Sequence, residues 1–252
     1  MTDRPPLKTV ERALEVVEVL WKHDGASVSE ISDELGIPKS TVHDYLRTLR
    51  VTGFAINVNG SYRLSTKFLQ IGGRLKYRMK AYHAARPELE RVAKETGEIA
   101  NLTIAEDGQA VILHNERGEN ALKLGVYPGI HTPIHSHAAG KAILSTFSDE
   151  RISQIIEQHG LPVMTEKTIT SADTLFAEID TIREKGFAHD FGEQVSGMGV
   201  VAVPVQDLSE ISAALAIVCP THRLKNDAYV NELAEIAEQA AQVVSINATY
   251  GS

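Results

Sequence analysis

Three residues, Gly36-Ile37-Pro38, limit what this chain can fold into more tightly than any other feature. Ahead of them, Ser27 and Glu30 stand at the spacing of a capping box, in which each side chain satisfies a backbone N–H at a helix start. The segment that follows buries Val28, Ile31 and Leu35 and stops at Gly36, a residue that accepts the left-handed conformation after a last helical turn. Pro38 then opens another helix at its first turn, where a missing N–H costs nothing. One helix must end and the next begin within three residues, which demands a sharp turn. A further helix precedes both: from Lys8 to Lys22, Val10, Leu14, Val17 and Trp21 recur at the spacing of one helix face.

The helix after Pro38 is two-sided. At about 100° per residue, Val42, Tyr45, Leu46 and Leu49 gather on one side. Ser40, His43, Asp44 and Arg47 point the other way, with Lys39 and Thr41 beside them at the amino-terminal end. Short hydrogen-bonding side chains with an arginine suit base edges and phosphates in a major groove, and a helix start aims N–H groups at phosphate. Asp44 is discordant, since it repels phosphate unless it accepts from a cytosine amino group or pairs with Arg47 or Arg50. Beyond Gly53, residues 54–58 and 61–64 read as strands around Asn59-Gly60, the signature of a type I′ hairpin. Three helices and a hairpin in this order predict a winged helix-turn-helix over residues 1–65. Its candidate DNA contacts are Ser29, Lys39, Ser40, Thr41, His43, Asp44 and Arg47, with Asn59 and Arg63 on the wing. A three-helix module used only for protein contacts is the alternative.

Charge agrees with that division. The 252 residues carry a net charge of −8, split as +4 over residues 1–80 and −12 over the rest. A basic module joined to an acidic one is expected where only one part meets a polyanion. The single cysteine, Cys219, excludes an intrachain disulfide and any Cys-cluster metal site, and suits a reducing cytoplasm. The longest apolar stretch, residues 213–219, is far below the roughly 18 residues of a membrane span. The opening Thr2-Asp3-Arg4-Pro5-Pro6 has no apolar run behind its charge, so no signal peptide is expected.

Residues 66–82 read as a linker helix with Phe68, Ile71, Leu75, Met79 and Tyr82 along one stripe, interrupted at Gly72-Gly73, where it can bend. The remainder, 83–252, alternates helices and strands in the mixed order of an α+β domain. Helices are expected at 84–96, 138–144, 148–159, 173–185 and 233–244, and strands at 99–105, 110–114, 121–126, 200–205 and 211–218.

Several strings give the chain a family resemblance. Lys8-Thr-Val-Glu-Arg-Ala-Leu14, Gly36-Ile-Pro-Lys-Ser-Thr-Val-His43 and Tyr62-Arg-Leu64 resemble the DNA-binding domain of the IclR family of transcription regulators. That family usually carries a basic residue where this chain has Asp44. Arg86-Pro-Glu-Leu-Glu-Arg-Val-Ala-Lys-Glu-Thr-Gly-Glu98, His137-Ala-Ala-Gly-Lys-Ala142 and Ala202-Val-Pro204 resemble its GAF-like effector-binding domain. The resemblance implies a small, carboxylate-bearing metabolite held at Ala139, Gly140, Asp190, Val200, Ala216 and Val218. Val200 replaces a frequent Cys, and Ala216 and Val218 stand where some members offer Ser, so a hydrocarbon or aromatic ligand body is favoured.

Other chemistry has weaker footing. His131, His135 and His137 lie close in sequence, but Pro133 breaks helical spacing between the first two, so no metal site is assigned. Gly197-Met-Gly199 lacks the third glycine of a dinucleotide site, and no cofactor is expected. The leading reading is a cytoplasmic regulator, more a repressor than an activator, binding operator DNA as a homodimer or a dimer of dimers, with no membrane partner. A metal-assisted hydrolase with a DNA-binding appendage and a constitutive DNA-binding protein are the alternatives.

Overall fold

A computed structural model describes residues 5–123, 125–208 and 211–250 of the chain. They form two units, Met1–Arg78 and Met79–Ser252. The first contains α1 (Lys8–Lys22), α2 (Val28–Leu35), α3 (Lys39–Val51), the hairpin β1 (Ala55–Val58) and β2 (Ser61–Leu64), and α4 (Lys67–Arg78). The capping box forms: Glu30 N–H donates to Ser27 Oγ, and Ser27 N–H donates to Glu30 Oε2 at 2.7 Å. Gly36 closes α2 at φ +62°, and Pro38 sits one position before the first residue of α3. Ile31, Val42 and Leu46 are wholly buried, each contributing about 1.5–3 kcal/mol by transfer from water. Asn59 and Gly60 both take positive φ, as a type I′ turn requires. Ala26 exchanges two backbone hydrogen bonds with Tyr62, tying the hairpin to the start of α2.

Helix α1 corrects one expectation. Its core side is Val16, Val19 and Leu20, while Val10, Leu14 and Trp21 are more than half exposed. The helix carries two apolar stripes roughly 130° apart at about 100° per residue, and periodicity alone does not say which one the domain buries. The joining helix also differs. Helix α4 runs through Gly72-Gly73 without a break and ends at Arg78. Met79 is non-helical, with ψ +116°. The next helix, α5 (Lys80–Thr96), belongs to the second unit. The glycines do not interrupt the helix, and the break falls seven residues after Gly72, at Met79.

The second unit is a six-stranded antiparallel sheet in the order β5-β4-β3-β8-β7-β6. Its strands are β3 (Ile99–Glu106), β4 (Gln109–Arg117), β5 (His131–Pro133), β6 (Ala188–Phe191), β7 (Met198–Val205) and β8 (Ala213–Pro220). Alternation along β7 and β8 sorts side chains between two layers. Val201, Val203, Leu215 and Ile217 meet α5 and α9 (Asp227–Tyr250). Val200, Ala202, Ala216 and Val218 meet α6 (Ala138–Leu144) and α8 (Ala172–Lys185), with α7 (Asp149–His159) outside them. The strand expected over 121–126 does not form among its described residues; Leu124 lies outside them. The edge of β4 is paired by β5, in register from Gln109 opposite Pro133 to Val111 opposite His131. Neither β5 nor β6, of three and four residues, is long enough to show a sequence period.

Candidate functional site

Burying Val42 and Leu46 turns the opposite side of α3 outward. Ser40, His43, Asp44 and Arg47 are exposed there, Lys39 is exposed at the first turn and Thr41 is half-buried. No side chain caps the start of α3, so its first N–H groups face out beside Lys39. Ser29 is exposed in the first turn of α2, and Asn59 and Arg63 are exposed on the hairpin. Among the described residues no ion pair joins Asp44 to Arg47 or Arg50. Lys67 is committed elsewhere: its Nζ donates to Thr52 O at 2.7 Å and lies 4.3 Å from the Phe54 ring centroid.

In the second unit, a cavity of about 290 Å³ lies between the sheet and the start of α6. Ala139, Val200, Ala216 and Val218 line it as expected. Ile112, Val126, Ile130, Val195 and Met198 extend the apolar wall, and Asn101, Thr103, Thr132, His137 and Gln194 supply polar atoms. Thr103 Oγ1 donates to Asn101 Oδ1 at 3.0 Å. That bond leaves the Asn101 amide N–H groups as donors. No charged side chain is among the described lining residues.

Two expected contacts have other work. Gly140 does not line the cavity. A Cβ there would stand 1.8 Å from Ile134 O, so only glycine allows α6 to approach the turn before it. Asp190 is fully buried beneath the helix start. Its Oδ2 accepts from Ala138 N–H at 2.9 Å and its Oδ1 from Gly192 N–H at 3.0 Å. Burial raises its pKa above the usual carboxylate value, against the pull of those donors. The N–H groups at the start of α6 are therefore partly taken by the protein itself. Gly140 N–H itself donates to His137 Nδ1 at 3.3 Å.

That bond fixes the His137 tautomer. With Nδ1 accepting, the proton sits on Nε2, which donates to Thr132 Oγ1 at 2.9 Å; the threonine hydroxyl donates on to Ala110 O at 3.3 Å. Burial holds His137 at about 4, so the ring is neutral. The other two histidines diverge: His131 is exposed and bonded to Gly129 O, and His135 is bonded to Pro162 O. Among the described residues no group of three or more His, Cys, Asp or Glu is placed to hold a metal ion. Beside the cavity, Lys141 is fully buried and paired with Glu178 at 3.0 Å and Glu193 at 2.7 Å. Burial pushes Glu193 up to about 7, although Lys141 opposes it. The polar lining had one sequence signal: Asn101 and Thr103 occupy alternate positions in an otherwise apolar strand.

Residues 9–56 match the IclR helix-turn-helix domain, and residues 76–246 match the family model described as bacterial transcriptional regulator IclR C-terminal. The chain belongs to the IclR family. The repressor YiaJ of Escherichia coli K12, a DNA-binding transcriptional repressor, is 32% identical over 239 residues, covering 92% of this chain and 85% of that protein. The crystal structure of Thermotoga maritima IclR superposes with a TM-score of 0.80 at 24% identity, covering 96% of this chain and 99% of that one. An IclR homologue from Microbacterium hydrocarbonoxydans, solved with 4-hydroxybenzoate, gives 0.81 at 21% identity over 96% and 99% of the two chains. These two structures speak for the fold alone. Members of the IclR family are transcriptional regulators, and this chain is one of them rather than an enzyme.

Proposed function

We propose that this IclR-family protein represses transcription by binding operator DNA through α3 and the hairpin, and that a small molecule held in the 290 Å³ cavity controls that binding. The observation that carries the reading is the division of α3 into a fully buried side, Val42 and Leu46, and an exposed side of Ser40, His43, Asp44 and Arg47. With no intramolecular partner found for it among the described residues, Asp44 is left to accept from a cytosine amino group. Ser29, Lys39 and the first N–H groups of α3 meet phosphate, and Asn59 and Arg63 extend contact along the groove.

The ligand has an apolar or aromatic body, matched to Val200, Val218 and Met198, and a carboxylate head received by the Asn101 amide, with the Gln194 amide beside it. Neutral donors suffice for a carboxylate when they are oriented in advance. The aromatic carboxylate in the Microbacterium homologue supports this class. We read the second unit as a GAF-like effector domain on its six-stranded antiparallel sheet with helices on both faces, and α4 as the linker between the two functions.

Two copies would bind together. The exposed stripe of Val10, Leu14 and Trp21 on α1, with Ile71 and Leu75 on α4, is apolar surface of the kind a second chain covers. The protein works in the cytoplasm, with its DNA; no described helix is long and apolar enough to cross a membrane. The test is a mobility-shift titration against the region upstream of the protein's own gene, with and without 4-hydroxybenzoate and related acids. A shift that survives random competitor and responds to a ligand supports the reading. Loss of the ligand response in Val200→Asp locates the cavity. Binding indifferent to every acid tried would favour a constitutive DNA-binding protein.

A further inference from the structure

The loop between β6 and β7, residues 192–197, brings Gln194 and Val195 to the wall of the effector cavity. Glu193, just before them, is held from three sides. From β6, Asp190 Oδ1 accepts from Gly192 N–H at 3.0 Å and from Glu193 N–H at 3.4 Å. From residues 165–168, the Thr165 and Thr168 hydroxyls donate to Glu193 O at 3.0 Å and 2.7 Å. From α6, Lys141 Nζ donates to Glu193 Oε1 at 2.7 Å. Ala139, two residues before that lysine, lines the same cavity. One ion pair therefore ties two walls together, the start of α6 and the loop after β6.

The tie is unevenly balanced. Lys141 is fully buried and faces two carboxylates, Glu193 and, on α8, Glu178. Glu178 keeps 32% of its side chain in solvent, whereas Glu193 keeps 13%. Glu193 Oε2 is buried and has no hydrogen-bond partner among the described residues. An anionic oxygen without a donor is costly where water is excluded, and a proton on Glu193 relieves that cost while Lys141 keeps Glu178. We propose that Glu193 is a positioning residue for the effector cavity: ionised and paired with Lys141 it holds Gln194 in the wall, and protonated it lets Gln194 move. Control of a ligand in this way rests on the effector reading of the cavity; the tie between the two walls does not. Burial pushes the Glu193 carboxyl up to about 7, with Lys141 pulling the other way and Asp190 and Glu178 adding to the rise. The tie is therefore firm above neutral pH and loosens below it. Burial works against the Lys141 ammonium, yet Glu193 and Glu178 raise its pKa, so the cation persists through that range. Burial also holds His135 and His189 below 6.5, and His137 at about 4. Lys167 is turned to Phe191 O at 2.9 Å.

The probe is the Gln194 side-chain amide, in full-length protein labelled with ¹⁵N at glutamine and assigned from Gln194→Met. Without ligand, its resonance should pass through one transition between pH 6 and pH 8, with a midpoint near 7. In Glu193→Gln, a neutral isostere, it should stay at the low-pH position throughout. No transition in the unmodified protein, or the same transition in Glu193→Gln, would overturn the proposal. Should that variant not fold, Glu178→Gln decides: the transition remains with a lower midpoint, and its loss would assign the proton to Glu178 instead. With 4-hydroxybenzoate as ligand, calorimetry should show binding about tenfold weaker at pH 6 than at pH 8. Affinity flat with pH beside a clear Gln194 transition would overturn the link to the ligand. If no acid binds, the effector reading fails, and the Gln194 transition still decides what Glu193 positions.

Discussion

The His137 imidazole joins the start of α6 to the sheet edge through Gly140 N–H on one side and Thr132 on the other. Protonation would break the first of these bonds. Its folded pKa, about 4, lies below the ordinary histidine value of 6.5. The unfolded chain therefore binds more protons between those limits. The stability that His137 contributes is complete above pH 6.5 and is lost as pH falls toward 4. By pH 5 this amounts to about 2 kcal/mol. Asn at this position keeps a cap acceptor and does not titrate, so urea melts of His137→Asn should lack that acid loss relative to the unmodified protein. Gly140→Ala must move Ile134 O or α6, and we expect a fall in melting temperature of about 3–10 °C, from overpacking of about 1–3 kcal/mol. At this scale the sequence was half legible. Ala139, Val200, Ala216 and Val218 do line the cavity, because strand alternation and motif position agree there. Gly140 and Asp190 do not, because motif position cannot distinguish a residue that touches a ligand from one that holds the helix in place.

Helix α3 is the element where sequence and structure agree most fully. Its start at Pro38 and its buried residues follow from a single 3.6-residue period behind strong punctuation. Arg47→Ala should weaken operator binding about tenfold or more, measured by fluorescence anisotropy. Lys39→Ala should lower affinity evenly across operator variants and reduce the salt slope by about 1. An unchanged slope would remove Lys39 from the phosphate contacts. Elements with weaker punctuation were misread. Residues 121–126 read as a strand, yet a strand needs an edge to pair with as well as a pattern of its own, and β5 pairs with β4. On α1, two stripes compete for one core, and the choice depends on where α2 and α3 lie.

At the scale of the whole molecule, the exposed stripe on α1 sets an expectation for assembly. On the pairing of two copies proposed above, Leu14→Glu should shift sedimentation from dimer toward monomer and weaken operator binding. Trp21 is the only tryptophan and is 64% exposed in the chain described here. Its emission should move to the red in Leu14→Glu as the ring regains water. Between Arg78 and Lys80 the backbone leaves helical geometry at one residue, Met79. Helix α4 has 12 residues, about 18 Å at 1.5 Å per residue. Ile71 and Leu75 stand one turn from each other on it, about 6 Å apart along the axis.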